Sequence, residues 1–294
     1  TADNPEGAWS RERLGGKAGQ KVGPIHFAKA DARQFAEWGF DYLKYDWNPN
    51  DEENTREMSE ALRPTGRDIV FSLSNSAGYK KRNELSRWAN AWRTTGDIWD
   101  HWEPRSDQAY HVSLSHIIDA NERWASVARP GHWNDPDMLV VGWVSVGSAM
   151  HPTRLTPDEQ FAHISMWCMM SAPLLIGCDL SKLDDFTLGL LTNDEVLALD
   201  QDALGKQAVR IATLGEVRVY QKPLEDGASA LCFLNMGEQE STVTLDELAG
   251  FGLGGKQQVR DLWRQKDLKD VEGSLCATVR PHGVMLYKLT PRGR

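Results

Sequence analysis

Tyr42-Leu-Lys-Tyr-Asp-Trp47 holds the first residues of this chain whose types and spacing could do chemistry. A short apolar strand pattern ends on Asp46 with Lys44 two residues behind it, and alternation along a strand puts both side chains on one face. A carboxylate at the C-terminal end of a barrel strand is a candidate nucleophile; an Asp just after a strand is also a common turn former. The strand ends downstream bear on that choice. Trp92-Arg93-Thr-Thr-Gly-Asp97-Ile-Trp-Asp100 would project Asp97 from the same rim, with Arg93 offering two oriented donors to a substrate oxygen. Trp133-Asn-Asp-Pro-Asp-Met138 follows, its proline breaking the ladder and its acids, Asp135 and Asp137, flanking the break.

Acidic strand ends gathered on one rim repel one another, an arrangement found in acid/base chemistry more often than in packing. Two facing carboxylates suit glycoside hydrolysis, one attacking or stabilising the oxocarbenium-like centre and the other donating a proton to the leaving oxygen. Asp46, beside Lys44 and Arg93, fits the first role; Asp97, flanked by Trp92, Trp99 and Trp102, is expected to be the desolvated acid. Oxygens of Asp46, Asp97, Asp135 and Asp137 could alternatively ligate a hard divalent cation. The chain has no D-x-D-x-D-G loop and no His pair at helical spacing, so no metal and no cofactor is expected. His132 reads as a hydrogen-bonded structural histidine, Met138 as pocket lining or core filler, and Gly252-Leu-Gly-Gly255 as a turn.

The elements that must position these residues alternate. Helical spacing over 26–39 precedes the strand ending at Asp46, a helix over 52–62 precedes a strand over 68–74, and a short helix over 84–90 precedes a strand over 91–97. A long amphipathic helix is expected over 110–128, then a strand near 132–139, a buried helix over 157–171 capped by Thr156, a strand over 173–179 and a helix from Asn193. Alternation of this kind predicts an α/β protein built of parallel βα units, with five strands. After Gly205 the pattern changes to short alternating strands between turns, which predicts a division into residues 1–205 and an antiparallel β-domain over 206–294.

Composition narrows the partners. With 294 residues and a hydrophobic fraction of 40%, the chain can bury a large core. A net charge of -9 and the lack of a Lys/Arg-rich tract argue against nucleic acid, and no apolar run approaches the length of a bilayer span. A neutral substrate fits better. Twelve tryptophans suit sugar stacking as well as ordinary cores, and the four cysteines, without metal-type spacing, read as buried free thiols.

The motifs KYDWN, WRTTGDI, GHWNDPDML and APLLIGCDL, in this order and at these separations, resemble glycoside hydrolase family 27, the α-galactosidase and α-N-acetylgalactosaminidase family. The resemblance covers residues 26–205 and implies a (β/α)8 TIM-type barrel, followed by an antiparallel β-sandwich. It also implies a retaining, metal-free double displacement on terminal α-galactosides. By motif position Asp46 would be the nucleophile and Asp97 the general acid/base; Lys44, Arg93 and Asp137 would hold sugar hydroxyls, and Trp133 and Met138 would line the pocket. Members of the family suggest a secreted or periplasmic location.

Departures from the family pattern are informative. Asn48 and Leu73 stand where many members carry a pair of bridged cysteines. Ser74-Asn75-Ser-Ala77 replaces the Glu of animal-type α-galactosidases: Ser and Ala resemble the N-acetylgalactosaminidase version, whereas Asn75 could serve a 2-hydroxyl. β-L-Arabinopyranosidase is a rival within the family, and a non-catalytic sugar-binding remnant is a rival outside it. The three βα units that normally precede the KYD strand are not found, leaving strands 4–8. This predicts a C-terminal portion of a longer enzyme, with an upstream segment or a partner chain completing the barrel, because five parallel strands cannot close.

Overall fold

The structure, a computed structural model, describes residues 27–46, 50–104, 111–146 and 149–293. It divides into two compact units, Thr1–Thr94 and Thr95–Arg294.

In the first unit, helix α1 (Ala28–Glu37) leads into strand β1 (Tyr42–Tyr45) and helix α2 (Glu52–Leu62) into β2 (Val70–Leu73). A short helix α3 (Arg82–Leu85) precedes β3 (Ala91–Arg93). Asp51 caps α2 by accepting from the Asn54 N–H at 2.9 Å. All three strands are parallel: Lys44 lies opposite Ser72, and Ser72 opposite Ala91. Phe71 and Leu73 of β2 and Ala91 and Trp92 of β3 are buried, as expected of strands in a parallel sheet.

The second unit opens with a small parallel pair, β4 (Asp97–Ile98) against β5 (His111–Val112). Helix α4 (Leu114–Glu122), capped by Ser113, leads to β6 (Trp133–Asp135). A short antiparallel ribbon of β7 (Trp143–Val144) and β8 (His151–Pro152) precedes α5 (Pro157–Met170), and α6 (Asp185–Thr192) and α7 (Asp194–Asp200) follow.

Three expected elements take a different form. The strand foreseen over 91–97 stops at Arg93, and Asp97 pairs with His111 instead. That pairing also shortens the helix foreseen over 110–128, because His111 and Val112 are spent on the sheet and Ser113 starts the helix. The strand foreseen over 173–179 is reduced to a parallel bridge between Leu139 and Ile176, held by Leu139 N–H to Leu175 O at 2.7 Å and Gly177 N–H to Leu139 O at 3.0 Å. Helix α6 was not foreseen; Asp184 caps it, accepting from the Thr187 N–H at 2.7 Å.

The C-terminal antiparallel sandwich follows. Strands β9 (Val209–Leu214), β10 (Val217–Pro223), β11 (Ser229–Asn235), β13 (Gln257–Asp261), β14 (Lys266–Asp267) and β16 (Val284–Pro291) form one sheet in the order β14-β13-β16-β11-β10-β9. Strands β12 (Ser241–Leu245) and β15 (Leu275–Val279) form a two-stranded sheet. Alternation explains the packing. Leu231 and Phe233 of β11 share a core with Leu245, Leu275 and Ala277, while Ala230, Cys232 and Leu234 share another with Met166 and Trp167 of α5. That second core crosses the expected 205/206 boundary.

All four cysteines are free; Cys168 and Cys232 are buried and Cys276 is exposed. No helix of the described residues is long and apolar enough to cross a membrane.

Candidate active site

In the first unit the residue after β1 is Asp46, exposed, with Lys44 half-buried on the same strand face. Asn75 reaches it from the loop after β2, its Nδ2 donating to Asp46 Oδ1 at 2.5 Å. Asn75 and Ser76 are both left-handed, at φ 63° and 53°. Non-glycine residues hold that conformation when surrounding contacts impose it. Asn50 supplies such contacts: its amide donates to Ser74 O and, at 3.1 Å, to Asn75 O. The buried Arg93 ends β3, and its carbonyl accepts from the Ala77 N–H at 2.7 Å. Leu73 is fully buried in β2; Asn48 lies outside the described residues.

In the second unit Asp97 opens β4 and is exposed, while Ile98 points into the core. The expected desolvation of Asp97 is therefore not met by the tryptophans of this unit. Trp102 stacks on His282 of the sandwich, ring centroids 4.6 Å apart, and Trp99 tilts against His101 at 6.0 Å. The Ile98 N–H donates to Asp137 Oδ2 at 2.9 Å. Asp137 Oδ1 accepts from the Met138 N–H at 2.9 Å, and Asp135 Oδ1 accepts from the Asp137 N–H at 2.8 Å. Asp137 is left-handed at φ 84° and only 4% exposed.

Helix α5 holds this loop with two side chains one turn apart. Trp167 Nε1 donates to Asp137 O at 2.6 Å, and His163 Nε2 accepts from the Val140 N–H at 3.0 Å. Burial pushes the His163 imidazole down to about 3, so it is neutral and able to accept.

Trp133 is half-buried, its ring so close to Gly205 that a Cβ there would meet its Cη2 at 2.7 Å. Met138 packs against Gly177 in the same manner, a Cβ there falling 2.7 Å from its sulfur. His132 pairs through its backbone with Arg129 in an antiparallel bridge. Among the described residues no group of three His, Cys, Asp or Glu is placed to hold a metal ion.

Four residues of these surroundings were not singled out for such roles in the sequence: Asn50, Asp100, His163 and Trp167. Asn50 and Asp100 sit inside or beside the quoted motifs, where a second polar residue is the available signal. Asp100 is fully buried and accepts from Arg154 Nη1 and the Arg154 N–H, both at 2.8 Å, with His151 Nε2 at 3.2 Å. His163 and Trp167 read as ordinary core.

Parallel βα strands, with Asp46 following β1 and Asp135 closing β6, and the antiparallel sandwich after them make this an α/β protein consistent with a partial (β/α)8 barrel and a C-terminal β-sandwich. The model of the alpha galactosidase A family matches residues 15–202, and that of the alpha galactosidase C-terminal beta sandwich domain matches residues 214–289. The chain belongs to this family, glycoside hydrolase family 27. It is 40% identical over 280 residues to alpha-galactosidase 2 of Arabidopsis thaliana, a match covering 92% of this chain and 65% of that protein. Among solved structures, a family 27 β-L-arabinopyranosidase from Geobacillus stearothermophilus superposes with TM-score 0.82 at 30% identity, over 91% of this chain and 62% of that one. The α-galactosidase of Saccharomyces cerevisiae, solved with raffinose, gives 0.79 at 25% identity, over 90% and 75%.

Proposed function

We propose that the complete gene product is a retaining glycosidase that removes terminal α-linked galactose. The observation that carries this reading is the 40% identity to a plant α-galactosidase over nearly the whole of this chain. In the first step Asp46 attacks the anomeric carbon, the glycosidic C–O bond breaks, and Asp97 gives its proton to the departing oxygen. In the second, Asp97 takes a proton from water as that water attacks the same carbon and releases Asp46. The Asn75 amide supports the role of Asp46 by orienting its carboxylate. Lys44, Ser74, Asn75 and Arg93 hold sugar hydroxyls, with Trp133 and Met138 along the pocket.

Asn75, whose amide donates to Asp46 Oδ1, stands beside the nucleophile as a group suited to a 2-hydroxyl, which supports galactose over N-acetylgalactosamine. The arabinopyranosidase neighbour favours a second reading, a sugar of galactose-like pattern without its 6-carbon. The relatives lend no support to a partner chain that completes the barrel. Residues 206–294 form the sandwich domain in this reading.

A panel of nitrophenyl glycosides tests it. α-Galactoside turnover with retention, followed by NMR of the first-formed anomer, is expected, and Asp46→Ala should abolish it. Faster turnover of the β-L-arabinopyranoside moves the assignment to the second reading, and galactose binding without hydrolysis of any substrate marks a sugar-binding remnant.

A further inference from the structure

We propose that Asp137 is a positioning residue that holds the acid/base Asp97 in place through the backbone N–H of Ile98, rather than a group that holds sugar hydroxyls. This rests on Asp97 being the acid/base. Three observations in the second unit carry it. Asp137 is 4% exposed, and its two carboxylate oxygens accept from two different backbone N–H groups, Ile98 at 2.9 Å and Met138 at 2.9 Å. Ile98 directly follows Asp97 in β4 and is fully buried, so the N–H anchor and the buried side chain fix the segment from which Asp97 projects. Asp137 is itself fixed in a left-handed conformation at φ 84°. Its N–H is held by Asp135 at 2.8 Å and its carbonyl by the Trp167 indole at 2.6 Å.

The physical link is a relay of geometry. Helix α5 sets Asp137, Asp137 sets the Ile98 peptide, and the Ile98 peptide sets the backbone that carries Asp97. Asn in place of Asp137 keeps the size but turns one acceptor into a donor, so one of the two buried N–H groups loses its partner. Displacing a proton donor by about 1 Å can cost about a hundredfold in rate.

The test uses kcat/KM of the complete gene product on two galactosides. One has an alkyl leaving group that needs a proton; the other has a 2,4-dinitrophenyl group that leaves without one. Asp137→Asn should lower kcat/KM on the alkyl galactoside by about 10- to 100-fold, and on the dinitrophenyl galactoside by less than about threefold. The inhibition constant for galactose should stay within about twofold, since no sugar contact is lost. Trp167→Phe, which keeps an aromatic ring and removes the indole donor to Asp137 O, should give the same leaving-group signature at a smaller size, and decides the matter if Asp137→Asn does not fold.

Equal losses on both substrates with a raised galactose inhibition constant would overturn the proposal and make Asp137 a sugar-holding residue. Unchanged kinetics in both variants would overturn it as well. Asp97→Ala runs alongside as the reference: a missing leaving-group signature there removes the acid/base assignment, and this proposal with it. A strong signature there but none in the two variants removes this proposal alone.

Discussion

At the scale of single residues, chemistry-bearing side chains depend on plain packing residues for their geometry. His163 shows how. Its Nε2 accepts the Val140 N–H at 3.0 Å in a fully buried site, which requires the neutral ring. Burial holds its pKa at about 3 against an ordinary 6.5, so as pH falls through that window the unfolded chain takes up a proton that the native chain refuses. The stability contributed by His163 is complete above about 6.5 and is lost as pH falls toward 3. His163→Gln keeps an acceptor for Val140 without titrating, and denaturant melts should show a shallower loss of stability over that range. His163→Leu strands the buried N–H and should cost about 1–3 kcal/mol at neutral pH. At this scale residue type and strand parity pointed to Lys44 and Asp46, and the motif that carries Arg93 and Asp97 pointed to those two. The contacts of Asn50 and Asp100 were not legible, because they join segments that spacing along the chain does not relate.

At the scale of elements, local signals fared best where the chain itself completes the element. Helix α5 begins at the expected place because Thr156 and Glu159 form a reciprocal capping box: Thr156 Oγ1 accepts the Glu159 N–H at 3.3 Å, and Glu159 Oε2 accepts the Thr156 N–H at 2.7 Å. Thr156→Ala should cost about 1 kcal/mol and lower Tm by about 2–4 °C, read by differential scanning calorimetry. The cost is expected to be a change in stability alone, because the sandwich also grips the start of this helix through His282 Nδ1 and Glu159 Oε1 at 2.8 Å. Elements decided by distant pairing were misjudged. Asp97 reads as the tail of the preceding strand, yet Asp97 and Ile98 pair with His111 and Val112, and the same pairing removes the first turn of the expected helix.

At the scale of the molecule, a polar group is buried where the helical layer meets the sandwich sheet within the second unit. Lys222 of β10 is completely buried, donating to Lys206 O at 2.9 Å and to Ser171 Oγ. Burial pushes it down to about 8, against the attraction of Asp200 and Asp202. Burial pushes Asp200, at the end of α7, up to about 7, against the attraction of Lys222 and a hydrogen bond from Gln201. Between its ordinary 3.8 and about 7 the native carboxyl keeps a proton that the unfolded chain has released. Asp200 therefore makes the protein less stable as pH rises through that window. Asp200→Asn should flatten this fall, seen as a difference between variant and parent melts at pH 4 and pH 8. A difference that is the same at both pH values would remove Asp200 as its source.

The sequence by itself determined the alternation of strands and helices, the change to an antiparallel sandwich toward the C-terminus, and the acids carried by the strand motifs. Each is written in periods of two or about four residues and in caps that neighbouring residues complete. The tertiary structure alone decided what those acids touch. The two oxygens of Asp137 accept from backbone N–H groups, one of them that of Ile98, 39 residues back along the chain. A carboxylate's partners are set by which distant peptides the packed helices bring within 3 Å, and no local period encodes that.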